Sequence, residues 1–535
     1  MAEGHRSRDS FLTGAFLLAA SSAFSRVLGA TVRIPLARLM GDEGIGLYQM
    51  AYPIYSVMLA LSTTGINIAV SKLIAEKAAR GRWRSAMSVF SHALWLLVGL
   101  GLAGSIGLAL LAGPIASRLV QDPRAYLALL VISPALFLVA VMAALRGLFQ
   151  GLQDMVPTAM SQVVEQLVRV ATMFWLGLAL LPSGIARAAA GAVSGAVTGA
   201  VAGLAYLLWR YTRMIGTLRA RARQSRDDPG ERGPTVLAQI LRVAVPISLA
   251  SIIMPLMQFI DMAIVPGRLQ LLGHSYQTAT GLYGQLSGMA YPLVYVPTIF
   301  TAALAVSLVP AVSEAQVRSP KWVRSRTALA VRLNLLVNVP AAVGLGVLAR
   351  EICTMLYKEP GAGVPLAWLA PGIVFLSIQM VTGAVLQGLG RSDLPVRHLL
   401  VGGTLKLALT YVLSATPLGV SGAALATVAG FAVNAYLNSR AAARLTGGPI
   451  GTIRLGTVPA VASLAMGALL LATRPRVAAF PSPGVATMVA IGAGIMLYGV
   501  LVLAMGGVSA GELEMIPAIG PLAARVLTRL RLIRG

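Results

Sequence analysis

The sequence predicts an all-α integral membrane protein of about 14 transmembrane helices, arranged as two parallel six-helix lobes plus two C-terminal helices. Three observations predict it. Of 535 residues, 57% are hydrophobic and only 11% are charged, with a mean hydropathy of +0.79; soluble domains carry about 25% charged residues. The apolar residues gather in runs of roughly 20, the length that crosses bilayer hydrocarbon as a helix. Several short words of the first half return in the second half at a nearly constant interval.

The apolar runs lie near 11–39, 45–71, 86–112, 124–148, 157–181, 186–210, 236–264, 281–310, 328–350, 366–388, 396–416, 419–439, 453–473 and 484–506. The first begins at Phe11 and reaches about Met40. It is longer than a signal-peptide core and has no small-residue cleavage site, so it is expected to remain as a helix. The formal net charge is +25. On a soluble chain that would suggest nucleic acid. Here the basic residues fall between apolar runs, mostly in alternate loops, which marks topology and contact with anionic membrane lipids. The bias puts both termini in the cytoplasm of a multi-pass protein of the bacterial cytoplasmic (inner) membrane. No nucleic-acid partner is expected.

The longest polar break, "RARARQSRDDPGERG" from Arg219 to Gly233, sits near the middle of the chain and reads as a linker. The expected organisation is a first lobe over 1–215, a cytoplasmic linker over 216–235, a second lobe over 236–445, two helices over 446–510, and a tail over 511–535. In that tail, "RVLTRLRLIRG" alternates basic and aliphatic residues and suits a membrane surface. The single cysteine, Cys353, excludes an intramolecular disulfide. The four histidines are scattered, and no Cys/His spacing suggests a metal site.

The repeat is carried by uncommon words. "GLYQMAYP" at Gly46 to Pro53 returns within "GLYGQLSGMAYP" at Gly281 to Pro292, so Pro53 corresponds to Pro292. "AVS" at Ala69 returns at Ala305, at nearly the same interval. "FQGLQDMVP" returns as "LQGLGRSDLP", and Gln150 and Gln387 again stand at nearly that interval. "GAVSGAVTGAVAG" is echoed by "GVSGAALATVAG". Six spans per repeat is an even number, so both halves share one orientation. Parallel halves of this kind occur in transporters that rock about a midplane site. Pro53, Pro246, Pro255, Pro292, Pro297 and Pro310 lie in or near spans, where proline frees backbone carbonyls and permits bending.

Ionisable groups inside spans are functional candidates because burying them in hydrocarbon is costly. Arg26 and Arg33 are seven residues apart, about two helical turns, so they share a face. Facing a cavity, the two guanidiniums suit a phosphate or diphosphate. Arg33 and Arg38 equally suit the outer interface. Glu165 and Arg169, in "SQVVEQLVRV", are spaced to pair on one helix face, either as a structural ion pair or as a pair that opens to substrate. Asp261 stands in "MQFIDMAIVP", and Asp42 and Glu43 in the glycine-rich "GDEGIG". With Glu165 these acids are the candidates for gating or for coupling to Na+ or H+. Tyr48, Gln49, Tyr52, Gln285, Tyr291 and Lys406 are polar side chains within spans and are candidates to line a cavity. A membrane glycosyltransferase or acyltransferase would need a catalytic carboxylate or histidine in a large loop. The loops here are short, with no acid cluster beyond Asp42–Glu43 and Asp227–Asp228. No catalytic, metal or cofactor site is expected.

"RIPLARLMGDEGIGLYQMAYPIY", "SQVVEQLVRV" and "RGLFQGLQDMVPT" resemble the stage V sporulation protein B family, a polysaccharide-transporter branch of the multidrug/oligosaccharidyl-lipid/polysaccharide flippase superfamily. The resemblance runs from the first span to the fourteenth. It implies two lobes around a central cavity, alternating access, export of an undecaprenyl-linked saccharide, and a groove for the polyprenyl tail beside the last two helices. The first span is also similar to the "SRVLG…VR" stretch of MurJ-type lipid II flippases, matched here by Ser25 to Gly29 and by Val32-Arg33. That similarity implies that Arg26 and Arg33 engage a diphosphate; Arg169, from its place in the fifth span, is expected to help them. The further arginines it implies on the second and eighth helices have no counterpart in "LYQMAYP" or "LYGQLSGMAYP". A monomeric lipid-linked saccharide flippase is the leading expectation. A drug or cation antiporter on the same fold is the alternative, and it would need an acid-rich cavity.

Overall fold

The computed structural model describes residues 2–225, 228–231, 233–449, 451–479 and 482–507. Within them, side chains are described from residue 17 onward, except at 19, 22, 23, 26, 27, 30, 452–454 and 475–479. The described residues form helices and turns, with no strand. The chain divides into two compact units, Met1–Gly284 and Gln285–Gly535.

The first unit opens with α1, Ala2–Leu59, bent at Gly41, whose φ of 69° and ψ of −172° lie outside the helical region. Only glycine adopts that backbone conformation cheaply. The kink falls between the two spans expected over 11–39 and 45–71. A π turn, Ala60–Thr64, leads into α2, Gly65–Ala79. The unit continues through α3 (Trp83–Pro114), α4 (Ala125–Gly151), α5 (Val156–Ala179), α6 (Ile185–Gln224), α7 (Gly233–Ser251), α8 (Ile253–Leu271) and α9 (Tyr276–Gly284). Its core is apolar: Val70, Ile74, Val89, Leu97, Met142, Leu145, Leu148, Leu207 and Ile240 are buried together.

The repeated glycines of "GAVSGAVTGAVAG" explain how α5 is held. Gly191, Gly195, Gly199 and Gly203 recur every fourth residue, so they form one smooth stripe on α6. A methyl group at Gly195 would meet the Arg169 carbonyl at 2.5 Å, and one at Gly199 would meet the Glu165 carbonyl at 2.6 Å. Small residues let two membrane helices approach backbone to backbone. This close approach sets the register of the segment that carries Glu165 and Arg169.

The second unit begins with a π turn, Gln285–Ala290, inside the second copy of the repeated word. It then runs α10 (Tyr291–Arg318), α11 (Pro320–Val347), α12 (Ala349–Tyr357), α13 (Gly363–Leu369), α14 (Gly372–Gly388), α15 (Asp393–Leu413), α16 (Val420–Leu445), α17 (Thr452–Ala479) and α18 (Pro483–Ala504). A buried polar network crosses its core. Thr301 donates to Asn334 Oδ1 (2.7 Å), Asn334 donates to Ser377 (3.0 Å), and Asn338 donates to Thr301 (2.9 Å). These amides bond to one another where hydrocarbon would offer no partner, although Asn338 Oδ1 has none among the described residues.

Among the described residues, 11 helices are long and apolar enough to cross a membrane, or 12 if the bent pair Pro360–Leu369 and Gly372–Gly388 forms one span. The expected number was 14. The expected fifth span is helical as α5 but falls outside that apolar set, because Gln162, Glu165, Gln166 and Arg169 interrupt it. The expected seventh span is two helices, α7 and α8, broken at Ile252.

The segment read as a linker is tied to the first unit. Asp228 is buried and accepts from the Ser85 backbone N–H (2.7 Å) and the Ser85 hydroxyl (2.6 Å), with Arg82 3.5 Å away. Glu231 pairs with the buried Lys77. The tail beginning at 511 lies outside the described residues.

Candidate functional site

The site in the first unit is built from α1, α4 and α5. On α1, Tyr48, Tyr52 and Tyr55 are spaced by four and three residues, so they share a face. Their rings pack in sequence: Tyr48 and Tyr52 centroids are 4.7 Å apart, and Tyr52 and Tyr55 are 6.2 Å apart, edge on. On α5, Arg169 Nη2 donates to Glu165 Oε1 at 2.6 Å. On α4, Arg146 Nη2 donates to the other carboxylate oxygen of Glu165 at 2.9 Å, and its Nε donates to Ser161 at 3.0 Å. The expected Glu165–Arg169 pair is thus a triad with two guanidiniums on one carboxylate. It keeps a surplus positive charge, and the buried Nε of Arg169 has no hydrogen-bond partner among the described residues.

Arg33 joins this cluster. The Tyr48 hydroxyl lies within electrostatic reach of both Arg33 and Arg169. Arg169 in turn interacts with Tyr48, Tyr52 and Tyr55. The segment of α1 bearing Arg33 is laid along α5: Ser21 donates to Gln162 at 3.3 Å, and a methyl group at Gly29 would stand 3.2 Å from the Gln166 amide nitrogen. Arg26 lies on the same helix, but its side chain is outside the described residues. Two guanidiniums on one carboxylate, with the α1 phenols in electrostatic contact with Arg169, supply N–H and O–H donors. That chemistry suits the clustered oxygens of a phosphate or diphosphate.

Asp42 and Glu43 belong to a second network. They follow the Gly41 bend, and the Glu43 backbone N–H donates to Asp42 Oδ1 at 2.7 Å. Glu43 pairs with Arg124, which also binds the fully buried Asp122 at 2.8 Å. Thr280 donates to Asp122 at 2.6 Å, and the Arg124 guanidinium lies 4.9 Å from the Tyr276 ring centroid. Burial disfavours the charged form of Arg124, but Asp122 and Glu43 outweigh it and hold the guanidinium protonated. Tyr283 donates to the Gln49 carbonyl at 3.5 Å, and Asp261 is buried on α8.

In the second unit, Lys406 on α15 is buried with its ammonium 5.8 Å from the Tyr291 ring centroid. The Tyr291 hydroxyl is 2.7 Å from Thr427 Oγ1, and its ring stacks near Tyr295 at 6.2 Å. Gln285 is buried beside the turn at Gly361. Sequence reasoning placed Arg33, Arg169, Glu165, Tyr48 and Tyr52 in the site and missed Arg146 and Tyr55. Arg146 left a signal, an arginine inside the apolar "VMAALRGLF". By position alone it reads as a flank of its span.

A family model described as "Polysaccharide biosynthesis protein" matches residues 11–316, more than half of the chain. Stage V sporulation protein B of Bacillus subtilis (strain 168) is 32% identical over 523 residues, which cover 97% of this chain and 100% of that protein. The chain belongs to the polysaccharide biosynthesis protein family. The chain is also similar to the lipid II flippase MurJ of Bacillus subtilis (strain 168), 27% identical over 78% of this chain and 80% of that protein. A solved structure of the lipid II flippase MurJ in an inward closed conformation superposes with a TM-score of 0.66 at 15% identity, covering 91% of this chain and 98% of that one. This member of the polysaccharide biosynthesis protein family thus has the fold of a multi-pass membrane transporter.

Proposed function

We propose that the chain is a flippase for a lipid-linked saccharide, carrying an undecaprenyl-diphosphate sugar across the bacterial cytoplasmic membrane by alternating access. Lipid II or another cell-wall or polysaccharide precursor fits the class. The observation that carries the reading is Glu165 divided between Arg146 and Arg169 beside the α1 tyrosines, which leaves a net positive charge within the spans. The triad and Arg33 together hold more positive than negative charge, and the deficit matches an anionic headgroup. Arg33 and Arg169, with Arg26, hold the diphosphate; the phenols of Tyr48 and Tyr52 donate to its oxygens. The polyprenyl tail stays in lipid beside α17 and α18. No bond is made or broken, so no catalytic group or cofactor is required. The monomer is the working unit, both termini face the cytoplasm, and membrane lipids surround it. The acids Asp42, Glu43, Glu165 and Asp261 couple the return step to Na+ or H+.

The test is replacement of the native flippase in a depletion strain. Wild type restores growth; Arg33→Ala and Arg169→Ala, present at wild-type levels in the membrane, do not. Mass spectrometry of lipids co-purifying with the protein finds a polyprenyl-diphosphate saccharide with wild type and much less with Arg169→Ala. Full rescue by both variants would sink the arginine mechanism.

A further inference from the structure

We propose that a groove between α3 and α6 is a binding site for an anionic phospholipid of the bilayer. Two helix faces make it. On α3, Arg84, Met87, Ser91 and Leu94 recur at helical spacing; on α6, Tyr211, Ile215, Arg219 and Arg223 recur every fourth residue. The helices run antiparallel here, and two contacts fix their register. Arg84 Nε donates to the Ala222 carbonyl at 3.0 Å, and the Phe90 and Tyr211 ring centroids are 5.4 Å apart. The groove is therefore graded along its length. Leu94 and Tyr211 stand at one end, Met87 and Ile215 follow, and Arg84, Arg219 and Arg223 stand at the other. Its volume is about 410 Å³, within the range of about 300–1,000 Å³ that accepts small organic groups.

The gradient matches the depth profile of a membrane. Beyond the apolar end, α3 continues through the exposed Trp95, Leu100, Leu102, Ile106 and Leu110, which face lipid tails in a spanning helix. At the cationic end Trp83 lies under Arg221 at 5.0 Å, and farther along α6 Trp209 lies under Arg213 at 4.3 Å. Tryptophans gather where a membrane meets water. The three arginines thus stand at headgroup depth. The groove is lined by no acid. The nearby acids are committed elsewhere, Asp228 to Ser85 and Arg82, and Glu231 to Lys77 and Arg82. Among the described residues no carboxylate pairs with Arg84, Arg219 or Arg223. Guanidiniums bind phosphate through paired N–H donors, and the hydroxyls of Ser91 and Tyr211 suit the ester oxygens next to it. An ethanolamine head would bring its own ammonium among the guanidiniums, whereas a glycerol head would not. Arg84, Ser91, Arg219 and Arg223 are exposed, so lipid of the surrounding bilayer reaches the groove directly.

The experiment titrates the full chain in detergent with phosphatidylglycerol, phosphatidylethanolamine or undecaprenyl diphosphate and counts bound lipid by native mass spectrometry. Wild type holds phosphatidylglycerol more tightly than phosphatidylethanolamine. The double variant Arg219→Gln, Arg223→Gln weakens phosphatidylglycerol about tenfold, as loss of two cations at a lipid surface should, and leaves phosphatidylethanolamine unchanged. A control double variant, Arg80→Gln, Arg326→Gln, removes the same charge from exposed positions outside the groove and keeps the preference. Ser91→Glu touches no arginine but sets a carboxylate in the groove, and it also weakens phosphatidylglycerol alone. An unchanged affinity in the Arg219, Arg223 variant overturns the proposal, and so does an equal loss in the control, which would make the effect one of net charge. If undecaprenyl diphosphate is the lipid whose binding the Arg219, Arg223 variant loses while phosphatidylglycerol stays, the groove belongs to the substrate path and the phospholipid site is withdrawn. Should that variant fail to fold, Ser91→Glu decides: an undiminished preference for phosphatidylglycerol overturns the site.

Discussion

Asp228 caps the N-terminus of α3 from a distant part of the chain. Its carboxylate accepts both the backbone N–H and the hydroxyl of Ser85, which are 143 residues earlier in sequence. The first N–H groups of a helix have no partner within it, and a buried carboxylate there is favoured by the helix dipole as well. Burial opposes ionisation of Asp228, but Ser85, the Gly230 N–H and Arg82 overcome it and hold the carboxyl below its ordinary range. Asp228→Ala therefore lowers stability by about 1–2 kcal/mol, the usual worth of such a cap. A carboxyl with a lowered folded value stabilises fully above its unfolded value of about 3.9 and loses that contribution as pH falls through the lower folded value. Thermal unfolding followed from pH 7 to pH 3 is expected to show wild type converging toward Asp228→Ala only below roughly pH 4. A constant difference over the whole range would contradict the cap.

The charge of the Arg146–Glu165–Arg169 triad makes a compensating pair of substitutions informative. The triad carries two positive groups and one negative group. Arg146→Met leaves Glu165 to neutralise Arg169, and affinity for an anionic lipid head is expected to fall about tenfold, or about 1.4 kcal/mol. Adding Glu165→Gln returns one net positive charge to Arg169 and is expected to recover most of the loss. Binding of undecaprenyl diphosphate to the two variants measures this. A double variant no better than Arg146→Met would mean that Arg146 acts by packing rather than by charge.

Substitution of the glycines of α6 is expected to damage transport through geometry. A methyl group at Gly199 would stand 2.6 Å from the Glu165 carbonyl and 3.0 Å from the Arg169 β-carbon, so α5 must shift to admit it. Gly199→Ala is expected to cost about 1–3 kcal/mol, as overpacking does, and to lower transport. Gly99, within α3, has nothing within 4 Å of the same added atom. Gly99→Ala is expected to be neutral or to stabilise by up to about 1 kcal/mol, from helix propensity alone. Unfolding temperature and flippase rescue, measured for both, separate crowding from a general intolerance of alanine.

The network at the Gly41 bend is expected to respond unequally to its two ends. Glu43 and Arg124 are each about a quarter exposed, whereas Asp122 is fully buried. Glu43→Gln removes a partly solvated pair and is expected to cost less than about 1 kcal/mol. Arg124→Met strips a buried carboxylate of its cation and is expected to cost about 3 kcal/mol. Denaturation of the two purified variants in detergent checks the order, and equal losses would overturn it.

Much of the architecture could be read from periodic features. Helical membrane spans follow from apolar length, and the duplication follows from words such as "AYP" and "QGL", because neither depends on which helix touches which. Glu165 and Arg169 were legible for the same reason: a spacing of four residues is a contact on any helix. Span counting was less reliable where an element departs from uniform apolarity. Four polar residues interrupt α5, and the expected seventh span is broken at Ile252.

By itself, then, the sequence determined a helical membrane protein built twice, with cations inside its spans, since local spacing and hydrophobic length settle those features. Only the tertiary structure decided that Arg146 shares Glu165 with Arg169, that Arg124 joins Glu43 to Asp122, and that Asp228 caps α3. Each of these contacts but the Asp122–Arg124 pair joins residues on different segments. The free energy of such a contact depends on helix packing, which the α6 glycine stripe permits but whose partner no local pattern names.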